Sequence, residues 1–355
     1  MNFNFPLLKT VRILLFPFSL LYFVIIWIRN QLFDTNILKS SPFNLPLICV
    51  GNLTVGGTGK SPMVEYLIRL LKNEFNVATL SRGYKRKTRG YALATSNTTA
   101  LDVGDEPMQF HLKFPEVAVT VGEARLEAIP QLLHDKPDTD VILLDDAFQH
   151  RYVKAGLNIL LTDYNNLYTR DWFLPAGDLR DQRSSAKRAQ IIVVTKCKAS
   201  ISTEEKKSIE KELKPSGRQR VFFSTIQYGA PYHITLRSVY SITQKTEVLL
   251  VTGIANPLPL KRMLNEQARA YYQLAYNDHH IFTIDDLKEI LTKFGNIQAE
   301  EKVILTTEKD AVRLMKFEQE LKDLPFYVIP IEQSFLFRQA PEFNNLVQSF
   351  IRNFK

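Results

Sequence analysis

The stretch CVGNLTVGGTGKSPM, Cys49–Met63, contains Gly-Lys-Ser, residue types that can hold the phosphates of a nucleotide. A phosphate-binding loop usually reads Gly, four residues, then Gly-Lys-Ser/Thr, and here Thr54 stands where the first glycine belongs. The chemistry needs backbone N–H groups curled round an anion at a helix N-terminus, on residues free to take positive φ. Gly56, Gly57 and Gly59 supply that freedom, with Val55 and Thr58 between them. Lys60 can carry a point charge to the β- and γ-phosphates of ATP, and the Ser61 hydroxyl can hold Mg²⁺. Thr54 to Ser61 is therefore the expected nucleotide loop.

Such a loop needs an acid at the end of a neighbouring buried strand. In DVILLDDAFQHR the apolar run Val141–Leu144 ends in Asp145 and Asp146, the edge where open α/β sheets place ligands. VGDEP offers Asp105 and Glu106 between Gly104 and Pro107, by itself an ordinary turn pattern. SRGYKRKTRG sets Arg82, Lys85, Arg86, Lys87 and Arg89 directly after a strand, either an anion-binding loop or a solvated face. NDHHIFT carries His279 and His280, with no Cys or Glu spacing that speaks for zinc. VVTKCKAS approaches the guanine-reading Thr/Asn-Lys-x-Asp signal, but Lys198 takes the acidic place, which argues against guanine.

The elements that must position these residues follow from alternation. Short apolar runs (PLICV, VATLS, VILLDD, NILLTD, IIVVT, VFFSTI) alternate with helical stretches in the rhythm of a doubly wound parallel sheet. After Pro62 in the first turn, Met63, Leu67, Leu70 and Leu71 mark one helical face. A second series, VLLVTGI, YYQLAY, KVILTT and FYVIPI, follows a pause near residues 228–242, with Thr283 and Gly295 as expected helix boundaries. The expected fold class is α/β: a P-loop NTPase-like domain, a smaller second α/β domain, and an N-terminal hydrophobic helix. At 355 residues two domains are reasonable. The net charge of +8 suggests an anionic partner, and two cysteines in apolar runs exclude a disulfide framework.

The charge-free run ILLFPFSLLYFVIIWI, Ile13–Ile28, lies between Lys9 with Arg12 and Arg29, and Pro17 interrupts it. It is shorter than the roughly 20 residues of a spanning helix, and no small-residue cleavage site follows. An interfacial helix with Tyr22 and Trp27 is expected, with a buried core helix or a true span as alternatives.

Taken in order, GNLTVGGTGKSP, LSRGY, VGDEP, DDAFQHR, LPAGDLR, DHHIF and TEKDAVRL resemble the lipid A 4′-kinase family, from Gly51 to Leu314. Asp178 and Asp181 depart from the Pro or Arg and the Glu expected there. The resemblance implies transfer of the ATP γ-phosphate to the 4′-hydroxyl of a tetraacylated glucosamine disaccharide 1-phosphate, at the cytoplasmic face of a bacterial inner membrane. It implies Lys60 on the phosphates, and Ser61 with Glu106 or an aspartate of the 145/146 pair on Mg²⁺. It also implies Asp105 with His279 as a base dyad, and substrate contacts from Arg82, Tyr84, Arg125, His150, Arg151 and Arg180. The expected partners are the lipid substrate and the membrane surface, with no nucleic acid and no obligate protein partner.

The expected divisions are 1–36 for the membrane-associated helix and 37–227 for the kinase core, to which 337–355 returns. Residues 228–242 and 331–336 form a two-stranded linker, and 243–330 the smaller domain. Two rivals differ in class. A partitioning-type ATPase has a signature lysine where Val55 stands, and a nucleotide-binding membrane adaptor needs no acid–base dyad.

Overall fold

The computed structural model describes Arg12 and residues 14–354; Lys9 and Ile13 of the N-terminal run lie outside them. The chain forms two compact units: Tyr228–Glu332, and the described residues before and after that span.

The larger unit is built on a nine-stranded sheet. Its strands are β1 (Leu47–Asn52), β2 (Val77–Ser81), β3 (Ala92–Leu93), β4 (Ala118–Val121), β5 (Val141–Asp145), β6 (Leu157–Asp163), β7 (Ile191–Thr195), β8 (Arg220–Tyr228) and β14 (Ile331–Phe335). Their order in space is β14-β8-β7-β6-β1-β5-β2-β4-β3. From β8 to β4 every pairing is parallel. β1, β2, β5 and β7 are buried at every residue, as strands covered on both faces must be. The chain leaves β1 for β2 and β4, returns through β5, and continues past β1 to β6, so β1 lies at the topological switch point where such sheets bind ligands.

β4 was not among the expected strands. Its four residues, AVTV, are too short to stand out beside Phe114 and Pro115, and only pairing with β2 and β3 makes it a strand. On the helix Lys60–Leu71 the buried stripe is Met63, Val64, Leu67, Ile68 and Leu71, while the expected Leu70 is half-exposed. The N-terminal helix runs Phe16–Asp34, 19 residues, so it outlasts the charge-free run and is long and apolar enough to cross a membrane. Pro17 opens this helix rather than interrupting it, because the first turn has no use for the N–H that proline lacks.

The smaller unit has a five-stranded sheet in the order β11-β10-β12-β13-β9. These strands are β9 (Tyr232–His233), β10 (Glu247–Thr252), β11 (Ala270–Ala275), β12 (Lys302–Thr307) and β13 (Phe326–Ile329). Only the β13–β9 pair is antiparallel. β9 falls within the span expected as linker, whereas β8 and β14 are neighbours in the larger sheet. The helix Ile284–Gly295 opens on a capping box in which Thr283 accepts from Asp286 N–H.

Candidate functional site

The loop after β1 explains its own irregularity. Gly56 and Gly59 sit at φ +99° and +83°, where a side chain would be strained, and a Cβ at Gly56 or Gly57 would meet nothing within 4 Å. Thr54 instead forms an antiparallel bridge with Leu179. Val55 N–H donates to Asp178 O (2.7 Å) and Arg180 N–H to Leu53 O (2.8 Å), so the LPAGDLR segment runs alongside the start of the loop. Backbone held this way is extended, and a glycine at 54 is not needed. Lys196 braces the other side, bonded to Gly57 O and paired with Asp163 at 2.8 Å. Its VVTKCKAS segment therefore supports the loop.

The carboxyl edge of the sheet gathers the charges. Lys60 Nζ lies 3.7 Å from Asp146 Oδ1 and 3.4 Å from Asn52 Oδ1. Arg180 grips both carboxylate oxygens of Asp146, one at 3.2 Å, and also Asn52 Oδ1. Burial pushes the Asp146 carboxyl up, but Lys60, then Arg180, outweigh it and hold it below the usual range. Asp145, one residue earlier, meets the opposite fate. It is 2 % exposed, its Oδ1 accepts no hydrogen bond among the described residues, and burial, then Glu106 and Asp146, push it up to about 7. Two adjacent carboxylates are thus driven apart, one clamped and ionised, the other buried and beside further acids. Thr58 Oγ1, inside the loop, is another buried oxygen without a hydrogen-bond partner among the described residues.

This raised value sets a pH dependence. Between about pH 4 and about pH 7 the unfolded chain releases the Asp145 proton while the native protein keeps it, so this group's contribution to stability declines as pH rises through that window. In metal-free protein, Asp145→Asn removes the penalty. The melting-temperature advantage of the variant over the parent is expected to grow from about pH 5 to about pH 7.5. A pH-independent difference would mean that Asp145 is already ionised at pH 5.

Asp105 and Glu106 occupy the first turn of the helix Asp105–Lys113, which starts after Gly104 at φ +95°. Carboxylates are favoured there by the unpaired N–H groups of the helix start. Arg82 and Tyr84 are exposed beyond β2. Of the basic run, Arg86 instead turns back to Glu123 at 2.7 Å, a structural use. Arg125 is 2 % exposed and spends its guanidinium on the carbonyls of Gly122 (2.7 Å) and Asp145 (3.4 Å), so it fixes the ends of β4 and β5. His150 is half-buried. Burial, then Arg125, Arg29 and Arg82, bring its imidazole down to about 4, which leaves it neutral at physiological pH.

Arg151, expected on substrate, faces the N-terminal helix: it pairs with Asp34 (2.6 Å), donates to Asn30 O (3.1 Å) and lies over the Phe33 ring. That helix docks by a polar seam. Tyr22 OH donates to Arg180 O (3.0 Å), Ala176 N–H to Ser19 Oγ (2.9 Å), and Asn30 Nδ2 to Asp181 Oδ1 (2.8 Å). The two departures from the resembled family serve this docking, since Asp178 pairs with Arg12 and Asp181 accepts from Asn30 while Arg188 holds its other oxygen. Residues that sequence reasoning missed include Asn52, Lys196 and Arg188. Asn52 stood inside a quoted motif, but no local spacing marks an amide that bridges Lys60 and Arg180.

In the smaller unit the two adjacent histidines have different fates. His280 Nε2 bonds Asp286 Oδ2 at 2.8 Å and its ring stacks on Tyr276, so it fastens a helix cap. His279 sits at φ +64°, uncommon for a residue with a side chain, with its N–H on Gly253 O (3.2 Å). Its Nδ1 is 3.0 Å from Arg313 Nη2. Strain of this kind clusters at functional positions.

Residues 11–352 match the family model described as tetraacyldisaccharide-1-P 4′-kinase. The chain is 46% identical over 354 residues to a tetraacyldisaccharide 4′-kinase of Bacteroides thetaiotaomicron, covering 95% of this chain and 93% of that one. It is 48% identical over 334 residues to the enzyme of that name from Flavobacterium johnsoniae, covering 94% and 95%. Among solved structures it resembles LpxK from Aquifex aeolicus in complex with ATP, with a TM-score of 0.74, 27% identity, and 96% and 99% of the two chains covered.

Proposed function

The chain belongs to the tetraacyldisaccharide-1-P 4′-kinase family and phosphorylates the 4′-hydroxyl of a lipid A precursor; from that premise we propose how its own residues do so. ATP lies on the Thr54–Ser61 loop, with the loop amides on its phosphates and Lys60 at the γ-phosphoryl group. In the free protein Lys60 and Arg180 are both held by Asp146 and Asn52, which keeps the two cations in place before the nucleotide arrives.

The residues present suit Mg²⁺. Asp145 offers a buried carboxylate oxygen without a partner beside Glu106, and Ser61 lies 8 % exposed in the first turn after the loop. Among the described residues no three His, Cys, Asp or Glu side chains converge to hold a cation by themselves, which fits an ion shared with phosphate oxygens. Ser61 and Asp145 would hold it, with Glu106 and Asp146 near; when bound, it supplies positive charge to the phosphates. That orphaned Asp145 oxygen is the observation that carries the ATP–Mg²⁺ assignment.

Asp105 takes the proton of the 4′-hydroxyl as oxygen attacks phosphorus, and His279 works with it. Arg82 and Tyr84, exposed beyond β2, meet the anionic head of the substrate. Incubation with labelled ATP, Mg²⁺ and disaccharide 1-phosphate, followed by identification of the labelled lipid, tests this. Lipid-independent ATP hydrolysis, or labelling unaffected by removal of Mg²⁺, contradicts it.

The enzyme works at the cytoplasmic face of the inner membrane. The N-terminal helix docks by Ser19, Tyr22 and Asn30 and leaves Phe18, Leu21, Ile25 and Ile28 exposed. Changing those four residues to serine is expected to release the protein from anionic lipid vesicles while ATP binding survives, because the polar seam is untouched. Vesicle co-sedimentation checks it; undiminished binding would move the anchor to the basic loop Arg82–Arg89.

A further inference from the structure

The end of β7 meets the nucleotide loop from the side opposite the Lys60–Asp146 pair. Along the larger sheet the strands run β7-β6-β1-β5. Lys60 is drawn toward Asp146, just after β5, whereas Gly57 and Thr58 are held from β7. Thr195 Oγ1 donates to Thr58 O at 2.8 Å, and Lys196 Nζ donates to Gly57 O. A nucleotide with its γ-phosphoryl group at Lys60 therefore carries its nucleoside toward β6 and β7. Every residue concerned belongs to the larger unit.

Lys196 is fixed in that place. Its backbone takes φ +56°, uncommon for a residue with a side chain and of the kind that clusters at functional positions. Its ammonium is anchored twice, by Gly57 O and by Asp163 at 2.8 Å, and Asp163 is the register partner of Thr195. With the head held, the methylene stem lies beside the loop, and the side chain keeps 38% of its surface exposed. Such a stem can cover apolar surface, here one face of a purine ring. Two residues on, Lys198 is exposed in a turn closed by Ile201 N–H on Lys198 O (3.1 Å). In the guanine-reading signal this place holds a carboxylate, which accepts from the N1–H and amino group of guanine. An ammonium has donors only, so it leaves those groups unpaired and matches the bare N1 of adenine.

We propose that the turn Thr195–Lys198 is the base site for ATP, with the Lys196 stem against the purine ring and Lys198 donating to adenine N1, which makes Lys198 the residue that selects adenine over guanine. This deepens the reading that places ATP on the Thr54–Ser61 loop and rests on it. Because the head of Lys196 holds Gly57 O, the support for the base and the cradle for the phosphates form one piece.

Displacement of a fluorescent ATP analogue from the full-length protein in detergent measures the affinities. 1-Deaza-ATP, in which C–H replaces N1, and GTP are each expected to bind at least about tenfold more weakly than ATP, the size of one hydrogen bond to a charged group. Lys198→Met is expected to weaken ATP to the level of 1-deaza-ATP, and Lys198→Asp to bring GTP level with ATP or above it. Lys196→Met is expected to weaken ATP and 1-deaza-ATP by the same factor. The wild-type comparison requires no variant to fold: equal affinity for ATP and 1-deaza-ATP overturns the inference, as does a Lys198→Met protein that keeps the gap between them. Parental affinity for ATP in Lys196→Met overturns it as well. Normal turnover and ATP affinity in Lys60→Ala, by contrast, overturn the loop reading on which the inference rests, and the 1-deaza-ATP comparison tells the two failures apart.

Discussion

Lys60→Ala is expected to lower turnover by at least about 10²-fold, the size typical of losing one preorganised electrostatic contact. In the proposed arrangement the lysine ammonium meets charge on the γ-phosphoryl group as the bond to the leaving phosphate breaks, and Lys60 is the one cation of the Thr54–Ser61 loop. Its structural cost is small. Asp146, its carboxylate partner at 3.7 Å, keeps the two-oxygen grip of Arg180, so the variant leaves no buried charge without a counterion. Turnover and thermal melts therefore separate: a large loss of rate, a melting temperature within a few degrees of the parent. A near-normal rate would move catalysis away from this loop.

The second large effect concerns the two residues proposed as the dyad. Asp105→Ala and His279→Ala are each expected to reduce kcat by roughly 10²-fold or more, the range of a lost general base, with little change in nucleotide affinity. If the two act as a unit, the double variant loses about as much as the worse single variant, because removing one already idles the other. His280→Ala is the control, and the structure sharpens it. That ring bonds Asp286 inside a capping box and stacks on Tyr276, so its loss should cost about 1 kcal/mol of stability, the size of a helix cap, and little turnover. Single-turnover phosphate transfer with parallel melts decides. Additive losses, or an equal rate loss at His280 in a stably folded protein, would detach the dyad from these residues.

The sequence by itself determined the parts whose physics is local. Gly56, Gly57 and Gly59 before Lys60 and Ser61 specify a loop because backbone freedom and charge within one turn are all that phosphate binding asks. Apolar runs ending in Asp145 or Thr195 specify buried parallel strands, and Thr283 with Asp286 a helix start, since each is a matter of a few consecutive residues. Strand β4 escaped because four residues carry too little pattern until a neighbour pairs with them.

Tertiary structure alone decided the rest. Thr54 serves in place of glycine because Leu179, far along the chain, holds it extended. Asp145 and Asp146, identical in sequence terms, part company because one is turned inward against Glu106 and the other outward to Lys60 and Arg180. Arg151 goes to the N-terminal helix, and His279 rather than His280 meets Arg313. What separates the two groups is the range of the interaction. A loop or a cap is closed by atoms a few bonds apart, whereas a proton's position or a carboxylate's charge depends on which distant residues the strand order brings against it and on how much water the packing leaves.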